Sequence, residues 1–206
     1  MSLKQHIYLV RHPALMAQFS GTPFIGRTHC LAEADSALRL QQALLALKVD
    51  RLVSSPLARC AGLAQDLAAQ MQRPLLLDGN WQERDWGAWD GCALADLNPQ
   101  ALQAYYDEPF DYAIPQAETF AAMQSRIQQA WLDLVALKQD VLCICHGGPM
   151  RLVLQQQLGL ANEALFQLKI DYGTLIGFEV HHTEQGVFSQ LCLMQPLLER
   201  RLDSKG

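Results

Sequence analysis

The sequence predicts an α/β fold in which a mainly parallel sheet carries helices on both faces. Half of the 206 residues are hydrophobic and only 18% are charged, so the chain can bury a sizeable core. Short apolar, β-prone runs alternate along the chain with segments whose apolar residues recur at helical spacing. This alternation is typical of parallel strands joined by crossover helices. We therefore expect one domain over residues 1–206, with an insertion at about residues 92–117.

The first part of the chain contains three predicted strands and two predicted helices. Residues 7–10 are expected to be a buried strand, and residues 33–47 an amphipathic helix. A second strand is predicted at 51–53. The pair Ser55-Pro56 then predicts the start of a helix, because serine caps helix N-termini and proline fits the first helical position. A third short strand is expected at 75–77.

The middle of the chain is predicted to be irregular. Residues 79–91 are a loop rich in glycine and tryptophan, and prolines break up any long helix within residues 92–117. These prolines are Pro99, Pro109 and Pro115. We expect this second stretch to be an insertion over one edge of the sheet.

The alternation returns in the last part of the chain. Helical spacing over residues 120–137 predicts a helix, and the apolar run 141–145 predicts a buried strand. The pair Gly148-Pro149 should open the next helix and Gly159 should end it, since glycine adopts the left-handed conformation that closes helices. Two late strands are expected, at residues 174–180 and 187–193.

Charge and hydropathy exclude several classes of function. The formal net charge is -5, whereas nucleic-acid binding usually needs a basic face. The apolar run at 7–10 is too short for a signal peptide or a membrane span, and no other run reaches about 18 apolar residues. We therefore expect a cytoplasmic protein with neither nucleic-acid nor membrane partners.

The six cysteines are expected to be free thiols, because they form no CxxC pair. Cys143, Cys145 and His146 lie close together in the sequence, but a zinc site usually has wider ligand spacing and a second ligand cluster. We therefore expect no metal and no other cofactor.

Two histidines follow directly on two predicted strands. His12 comes after the strand at 7–10, and His146 comes after the strand at 141–145. In open α/β sheets, ligands bind beyond the carboxyl ends of the strands. A single histidine at such a place is more often structural, whereas two at equivalent places indicate one shared site.

Two arginines accompany these histidines. Arg11 precedes His12, and Arg59 falls in the first turn of the helix that Ser55-Pro56 is expected to begin. A helix N-terminus favours an anion, and an arginine there can add a bidentate clamp on phosphate. The alternative for Arg59 is a solvated surface position, which is the usual place of an arginine.

Four motifs together resemble the histidine phosphatase superfamily, which includes the phosphoglycerate mutases. They are Arg11-His12, the run 54–59, the run 83–87 and the run 146–148. The resemblance extends over about residues 6–180 and implies a three-layer α/β sandwich. It places the insertion over the active-site edge.

The resemblance implies a metal-independent phosphatase. His12 would be the nucleophile, since a neutral imidazole can attack phosphorus to give a phosphohistidine that water then hydrolyses. Arg11 and Arg59 would hold the phosphate, and His146 would stabilise the charge of the transition state.

The resemblance also assigns Gly147 to phosphate binding and the role of general acid to Glu83. From the residues alone, Asp85 and Asp90 compete with Glu83 for that role. The acid is needed because the leaving oxygen must be protonated.

Within the family, the chain is most similar to the α-ribazole phosphatase branch. Pro13 stands where the family usually has glycine, as in some members of that branch, and the run 170–173 is also typical of it. His29 departs from it, because the branch has aspartate there. The implied substrate is α-ribazole 5′-phosphate, a precursor of the nucleotide loop of cobalamin.

Two alternatives remain open. One is a broad-specificity sugar-phosphate phosphatase or a phosphoglycerate mutase. The other is an inactive homologue that binds a phospholigand. Only Pro13 and His29 support this alternative.

Four aromatic residues of the insertion are candidates for substrate selection: Tyr105, Tyr106, Phe110 and Tyr112. In this family such an insertion lies near the phosphate pocket, so these rings would stack on a flat benzimidazole. The alternative is that they pack the insertion's own small core.

Overall fold

Six β-strands and five α-helices are present in the part of the chain that the structure, a computed structural model, describes: residues 3–19 and 21–198. The strands are β1 (Leu3–Arg11), β2 (Arg51–Ser54), β3 (Leu75–Leu77), β4 (Val141–Cys145), β5 (Thr174–Thr183) and β6 (Gly186–Pro196). The helices are α1 (Ala34–Leu44), α2 (Ala58–Met71), α3 (Pro99–Asp107), α4 (Phe120–Ala136) and α5 (Gly147–Leu158). Short 3-10 turns join several of them.

The strands form one sheet in the order β3-β2-β4-β1-β5-β6. The first four strands in this order are parallel to one another, whereas β5 and β6 are antiparallel to their neighbours. The predicted α/β class with a mainly parallel sheet is therefore confirmed. In the register, Arg11 pairs with Cys145 and Ser54 pairs with Ile144. The carboxyl ends of β1, β2 and β4 thus lie level at one edge of the sheet.

Helices cover both faces of this sheet. On one face, α4 and α5 pack on Leu9 and Cys143; on the other, α1 and α2 pack on Val10 and Leu142. Adjacent residues of a strand point to opposite faces, which explains why neighbours such as Leu9 and Val10 belong to different cores. All five residues of β4 are buried, as expected for a strand covered on both sides.

The predicted start of α2 at Ser55-Pro56 is wrong. The helix begins at Ala58, and Leu57 precedes it without a side-chain cap. The main-chain N–H of Ser55 donates to the carbonyl of Ile144 over 3.0 Å, so the chain still follows the sheet at this residue. The Ser55 hydroxyl contacts His146.

The prediction that residues 92–117 are irregular is wrong for Pro99–Asp107, which form α3. Pro99 begins this helix instead of breaking it, because a residue in the first turn needs no N–H for an intrahelical bond. The side chain of Asn98 accepts from the N–H groups of Gln100 and Ala101 and so caps the helix. Residues of this stretch join Phe24 and Trp89 in a third, separate hydrophobic cluster.

The end of α5 follows the prediction. Gly159 has a φ of 65° and closes the helix in the left-handed conformation. None of the helices within 3–19 and 21–198 is long and apolar enough to cross a membrane.

Candidate active site

His12 lies directly after β1 and is only 3% exposed. Its main-chain N–H donates to the carbonyl of Cys145 over 2.9 Å, which ties it to the end of β4. Its Nδ1 lies 2.8 Å from the carbonyl oxygen of Pro13. A carbonyl oxygen can only accept, so the ring proton is on Nδ1 and Nε2 carries a free electron pair.

Burial keeps the His12 ring neutral. It lowers the pKa of His12 well below the ordinary value, and the charges of Arg11 and Arg59 lower it further. The hydrogen bond to Pro13 opposes this shift. At neutral pH the imidazole is therefore in the unprotonated form that a nucleophile requires.

His146 lies directly after β4 and packs edge-on against His12, with the ring centroids 5.1 Å apart. Arg59 donates from Nε to His146 Nδ1 over 3.2 Å. His146 Nε2 therefore carries the proton and donates to the Ser55 hydroxyl over 2.8 Å. Burial lowers the pKa of His146 well below its ordinary value, with smaller contributions from Arg59 and His12.

Arg59 is 1% exposed, and four of its five N–H groups are engaged. Besides His146, Nη1 contacts the carbonyl of Thr28 and Sγ of Cys30, and Nη2 donates to the carbonyl of Gly26 over 2.6 Å. Arg59 does not line the cavity that contains His12. The surface alternative for Arg59 is wrong.

The cavity in front of His12 has a volume of about 200 Å³. Four predicted site residues line it: Arg11, His12, Glu83 and Gly147. The other two predicted histidine and arginine residues, His146 and Arg59, do not line this cavity. Two residues that the sequence did not single out, Arg151 and Tyr172, line it as well.

The sequence contained an indication that Arg151 and Tyr172 belong to the site. Arg151 lies four residues after Gly147, and residues at this spacing share one face of a helix. Tyr172 belongs to the run 170–173 that resembles the α-ribazole phosphatase branch.

Arg11 is held in two ways. Its Nη1 donates to the carbonyl of Ile170 over 2.6 Å, and its guanidinium lies 4.0 Å from the centre of the Tyr172 ring. Its Nε is buried and has no hydrogen-bond partner in the described ranges. A Cβ on Gly147 would lie 3.5 Å from this Nε, so the unsatisfied donor lies at the start of α5.

Glu83 contacts the same end of α5. Its Oε2 accepts from the N–H of Gly148 over 3.1 Å, and its Oε1 accepts from the N–H of Arg84 over 3.0 Å. A Cβ on Gly148 would lie 2.1 Å from Oε1, so the carboxylate can approach only because residue 148 is glycine. Neither Asp85 nor Asp90 lines the cavity.

Asp90 is engaged elsewhere. Its carboxylate accepts from the N–H groups of Gly26, Arg27 and Thr28. Asp90 and Arg59 together hold residues 26–28 through their main chain. The side chain of His29, the next residue, is exposed.

A second, apolar cavity of about 290 Å³ adjoins the first. The two share Glu83, Trp86, Gly148 and Arg151. Apolar and aromatic side chains form most of the remaining wall: Tyr105, Pro109, Phe110, Phe120, Met123, Leu152, Leu165 and Phe166.

The four candidate aromatic residues of the insertion divide into two pairs. Tyr105 and Phe110 line the apolar cavity. Tyr106 is 55% exposed, and Tyr112 packs against Trp89 with a centroid distance of 5.9 Å. Tyr105 also belongs to the third hydrophobic cluster, so it packs the insertion and lines the cavity at once.

Arg84 brings a charge into this apolar cavity. It lies 4.6 Å from the centre of the Trp86 ring, and its Nε donates to the carbonyl of Glu118 over 3.2 Å. Its two Nη groups make no hydrogen bond with any residue that the structure describes.

Within residues 3–19 and 21–198, no group of three or more His, Cys, Asp or Glu side chains is placed to hold a metal ion.

Comparison with known proteins identifies similar sequences and structures. The family model of the histidine phosphatase superfamily (branch 1) matches residues 7–190. The chain is 23% identical over 187 residues to the adenosylcobalamin/alpha-ribazole phosphatase of Escherichia coli K12, covering 85% of this chain and 90% of that protein. It is 24% identical over 192 residues to phosphoserine phosphatase 1 of Hydrogenobacter thermophilus, covering 87% of each. The crystal structure of the alpha-ribazole phosphatase from Shigella flexneri has a TM-score of 0.80 at 19% identity and covers 94% of this chain and 97% of its own.

Proposed function

Because the chain belongs to the histidine phosphatase superfamily, we propose that it hydrolyses α-ribazole 5′-phosphate through a phosphohistidine on His12. Membership together with the phosphatase relatives supports a phosphatase that acts on phosphate monoesters. The observation that carries the choice of substrate is the apolar, aromatic cavity that adjoins the cavity of His12. In a cell, this activity would serve the assembly of the cobalamin nucleotide loop.

The first step transfers the phosphoryl group to His12. The electron pair on Nε2 forms a bond to phosphorus as the bond from phosphorus to the leaving oxygen breaks. The charge that develops on the ring is stabilised through Nδ1–H and the Pro13 carbonyl. Glu83 delivers a proton to the leaving oxygen, so the product leaves as an alcohol.

Positive charge around the equatorial oxygens lowers the barrier of this step. The unsatisfied Nε–H of Arg11 and the N-terminus of α5 at Gly147 are the donors for these oxygens. His146 can donate to the phosphoryl group only if its Nε2–H leaves the Ser55 hydroxyl.

The second step returns the enzyme to its starting state. Water attacks phosphorus, and Glu83 takes up one of its protons. The bond from phosphorus to Nε2 breaks, and the electron pair returns to His12. Inorganic phosphate then leaves the cavity.

The apolar cavity supports a leaving group with a flat apolar body. A benzimidazole ring can pack against Phe110 and Trp86, and each aromatic contact contributes about 0.5–1.5 kcal/mol beyond its buried area. The ribose would span the region where the two cavities meet, near Glu83.

Arg84 favours a second candidate. Its free Nη groups suit a carboxylate, which phosphoserine and 3-phosphoglycerate carry and α-ribazole lacks. An amino-acid or glycerate phosphate, however, leaves most of the aromatic wall without contact, so we place α-ribazole 5′-phosphate first.

A substrate panel tests the choice. We expect kcat/KM to be highest for α-ribazole 5′-phosphate, above ribose 5-phosphate, phosphoserine and 3-phosphoglycerate. Phe110→Ala should lower the preference over ribose 5-phosphate by about 2- to 12-fold, which corresponds to one aromatic contact. Tyr106→Ala is the matched control, because that ring lies outside the cavity, and should leave the ratio unchanged. A panel led by phosphoserine or 3-phosphoglycerate would establish the second candidate instead.

A further inference from the structure

Tyr172 lies in the turn directly before β5, beside the end of β1. The two strands are antiparallel, and Val10 pairs with Leu175, so the residues that precede β5 lie next to those that follow Val10. Gly173 turns the chain here in the left-handed conformation, with a φ of 69°. The Tyr172 side chain is half-buried and lines the cavity of His12.

The segment 170–173 holds Arg11 by three contacts. The carbonyl of Ile170 accepts from Nη1 of Arg11 over 2.6 Å, and the N–H of Gly173 donates to the main-chain carbonyl of Arg11 over 3.2 Å. The ring of Tyr172 lies under the guanidinium, with 4.0 Å between the ring centre and the guanidinium carbon. Because the segment holds both the main chain and the guanidinium, it fixes the direction of the Arg11 side chain.

None of these contacts neutralises Arg11. Other arginines of the described ranges pair with carboxylates, as Arg27, Arg39 and Arg126 do, whereas Arg11 does not. A carboxylate beside Arg11 would cancel its charge and repel a phosphate dianion. An aromatic ring attracts the cation through its quadrupole and has no net charge. Arg11 therefore keeps its full charge, and its buried Nε–H keeps its hydrogen bond, for a ligand.

The same ring contacts His12. The ring centroids of Tyr172 and His12 are 5.3 Å apart, and the planes are inclined at 50°. His12 also contacts His146 at 5.1 Å, and its Nδ1 is bonded to the carbonyl of Pro13. Tyr172 is thus in contact with both the nucleophile and the arginine beside it. Their relative position matters, because reacting atoms must be held about 3–3.5 Å apart and aligned.

We propose that Tyr172 is a positioning residue of the phosphatase reaction. Its ring fixes the guanidinium of Arg11 relative to His12 and leaves the positive charge of Arg11 to the phosphoryl group. The inference rests on the phosphate site of the proposed function, but not on the identity of the leaving group.

The test compares Tyr172→Leu with the unmodified protein. The measured quantities are kcat for 4-nitrophenyl phosphate and the inhibition constant of inorganic phosphate as a competitive inhibitor. Leucine is apolar but has no π face. We expect the inhibition constant to rise by about 2- to 30-fold, which corresponds to the loss of one cation–π contact, and kcat to fall. A smaller rise than about twofold in folded Tyr172→Leu overturns the proposal.

Tyr172→Phe separates the ring from the hydroxyl. Both contacts are made by the ring, so this variant should keep kcat and the inhibition constant within about twofold of the unmodified protein. Tyr106→Leu is the matched control, because Tyr106 is exposed on α3 and lines neither cavity, and it should change nothing. If Tyr172→Phe loses as much phosphate binding as Tyr172→Leu, the ring does not position Arg11.

A second pair of variants tests the value of an uncharged partner. Tyr172→Glu can hold Arg11 by an ion pair, whereas Tyr172→Gln offers only an uncharged amide. We expect the inhibition constant of phosphate to be about fivefold or more higher in Tyr172→Glu, because the carboxylate neutralises Arg11 and repels the dianion. Equal constants in the two variants would contradict the claim that Arg11 needs an uncharged partner.

A measurement on the unmodified protein decides the matter if the variants do not fold. A proton above an aromatic ring resonates upfield, so the Nε–H proton of Arg11 should lie upfield of that of Arg39, which is exposed on α1. An Arg11 resonance without this displacement overturns the proposal. Activity of His12→Ala would refute the phosphohistidine itself, whereas unchanged phosphate binding in Tyr172→Leu removes only the role of Tyr172.

Discussion

At the scale of single residues, Pro13 departs from the family pattern but contributes its carbonyl oxygen to the site. Proline has no N–H to offer a phosphate. Its carbonyl oxygen, however, receives the Nδ1–H of His12, and this bond fixes the ring with Nε2 free. The chemistry proposed for His12 needs the carbonyl and not the missing N–H. Pro13 therefore gives no support to the alternative of an inactive homologue.

His12 carries the first residue-scale prediction. His12→Ala should abolish the hydrolysis of 4-nitrophenyl phosphate, because no phosphohistidine can form. The variant should keep its circular dichroism spectrum, and His29→Ala, at an exposed position, should stay fully active. Activity of His12→Ala within tenfold of the unmodified protein would rule out the nucleophile.

The second residue-scale prediction concerns Glu83. Glu83→Gln should slow a sugar phosphate far more than 4-nitrophenyl phosphate, because nitrophenolate leaves without a proton whereas a sugar alkoxide needs one. The amide keeps an oxygen that can accept from Gly148, so the site should stay folded. Equal slowing of both substrates would mean that Glu83 is not the general acid.

At the scale of elements, α5 positions much of the site within its first two turns. Gly147 makes room for two guanidinium groups, Gly148 receives Glu83, and Arg151 follows one turn later. The helix begins where β4 ends, so its N-terminus faces the cavity at the carboxyl edge of the sheet. Its positive end adds to the charge that the arginines supply.

Gly148→Ala tests the contact of α5 with Glu83. The added Cβ would lie 2.1 Å from Glu83 Oε1, so the carboxylate must move. We expect kcat for sugar phosphates to fall at least about tenfold, as expected when a general acid is misplaced.

Gly62→Ala on α2 is the matched control. Nothing lies within 4 Å of a Cβ at that position. Alanine in the middle of a helix should raise the unfolding free energy by about 0.5–1 kcal/mol and leave activity unchanged. If Gly148→Ala were as active as Gly62→Ala, the contact with Glu83 would have no catalytic role.

At the scale of the whole molecule, two buried neutral histidines make the folded state sensitive to acid. The pKa values of His12 and His146 are lowered in the folded protein, whereas an unfolded chain has an ordinary value of about 6.5. Above that pH neither state is protonated at these residues, so they contribute nothing. Below it the unfolded chain takes up protons that the folded protein does not, and stability falls.

We therefore expect the unfolding free energy to fall between pH 6.5 and about pH 5.5, by at most about 1.4 kcal/mol per pH unit for each histidine. Urea unfolding at several pH values measures it, and most carboxylates stay ionised in this window. His12→Gln should show a smaller slope. An identical slope in His12→Gln would contradict the assignment to His12.

The order of strands and helices was predictable because hydrophobic periodicity records it locally. The start of α2 was not predictable in this way. Ser55 resembles a helix cap in the sequence, but its main-chain N–H bonds to β4 and its hydroxyl contacts His146. His12, Glu83 and Arg11, which the motifs marked, all line the cavity. The motifs could not show that Arg59 faces Gly26 and Thr28, because that depends on how a distant loop folds over α2.

The central place of β1 in the sheet has a consequence for how the enzyme is made. Both neighbours of β1, the strands β4 and β5, follow it in the chain by more than half of its length. His12 therefore remains without the Cys145 carbonyl, His146 and Tyr172 until these late segments have been synthesised. Long-range pairing of this kind slows folding and leaves early apolar segments exposed meanwhile. A nascent chain halted before β4 would hold most of the catalytic motifs and yet have no active site.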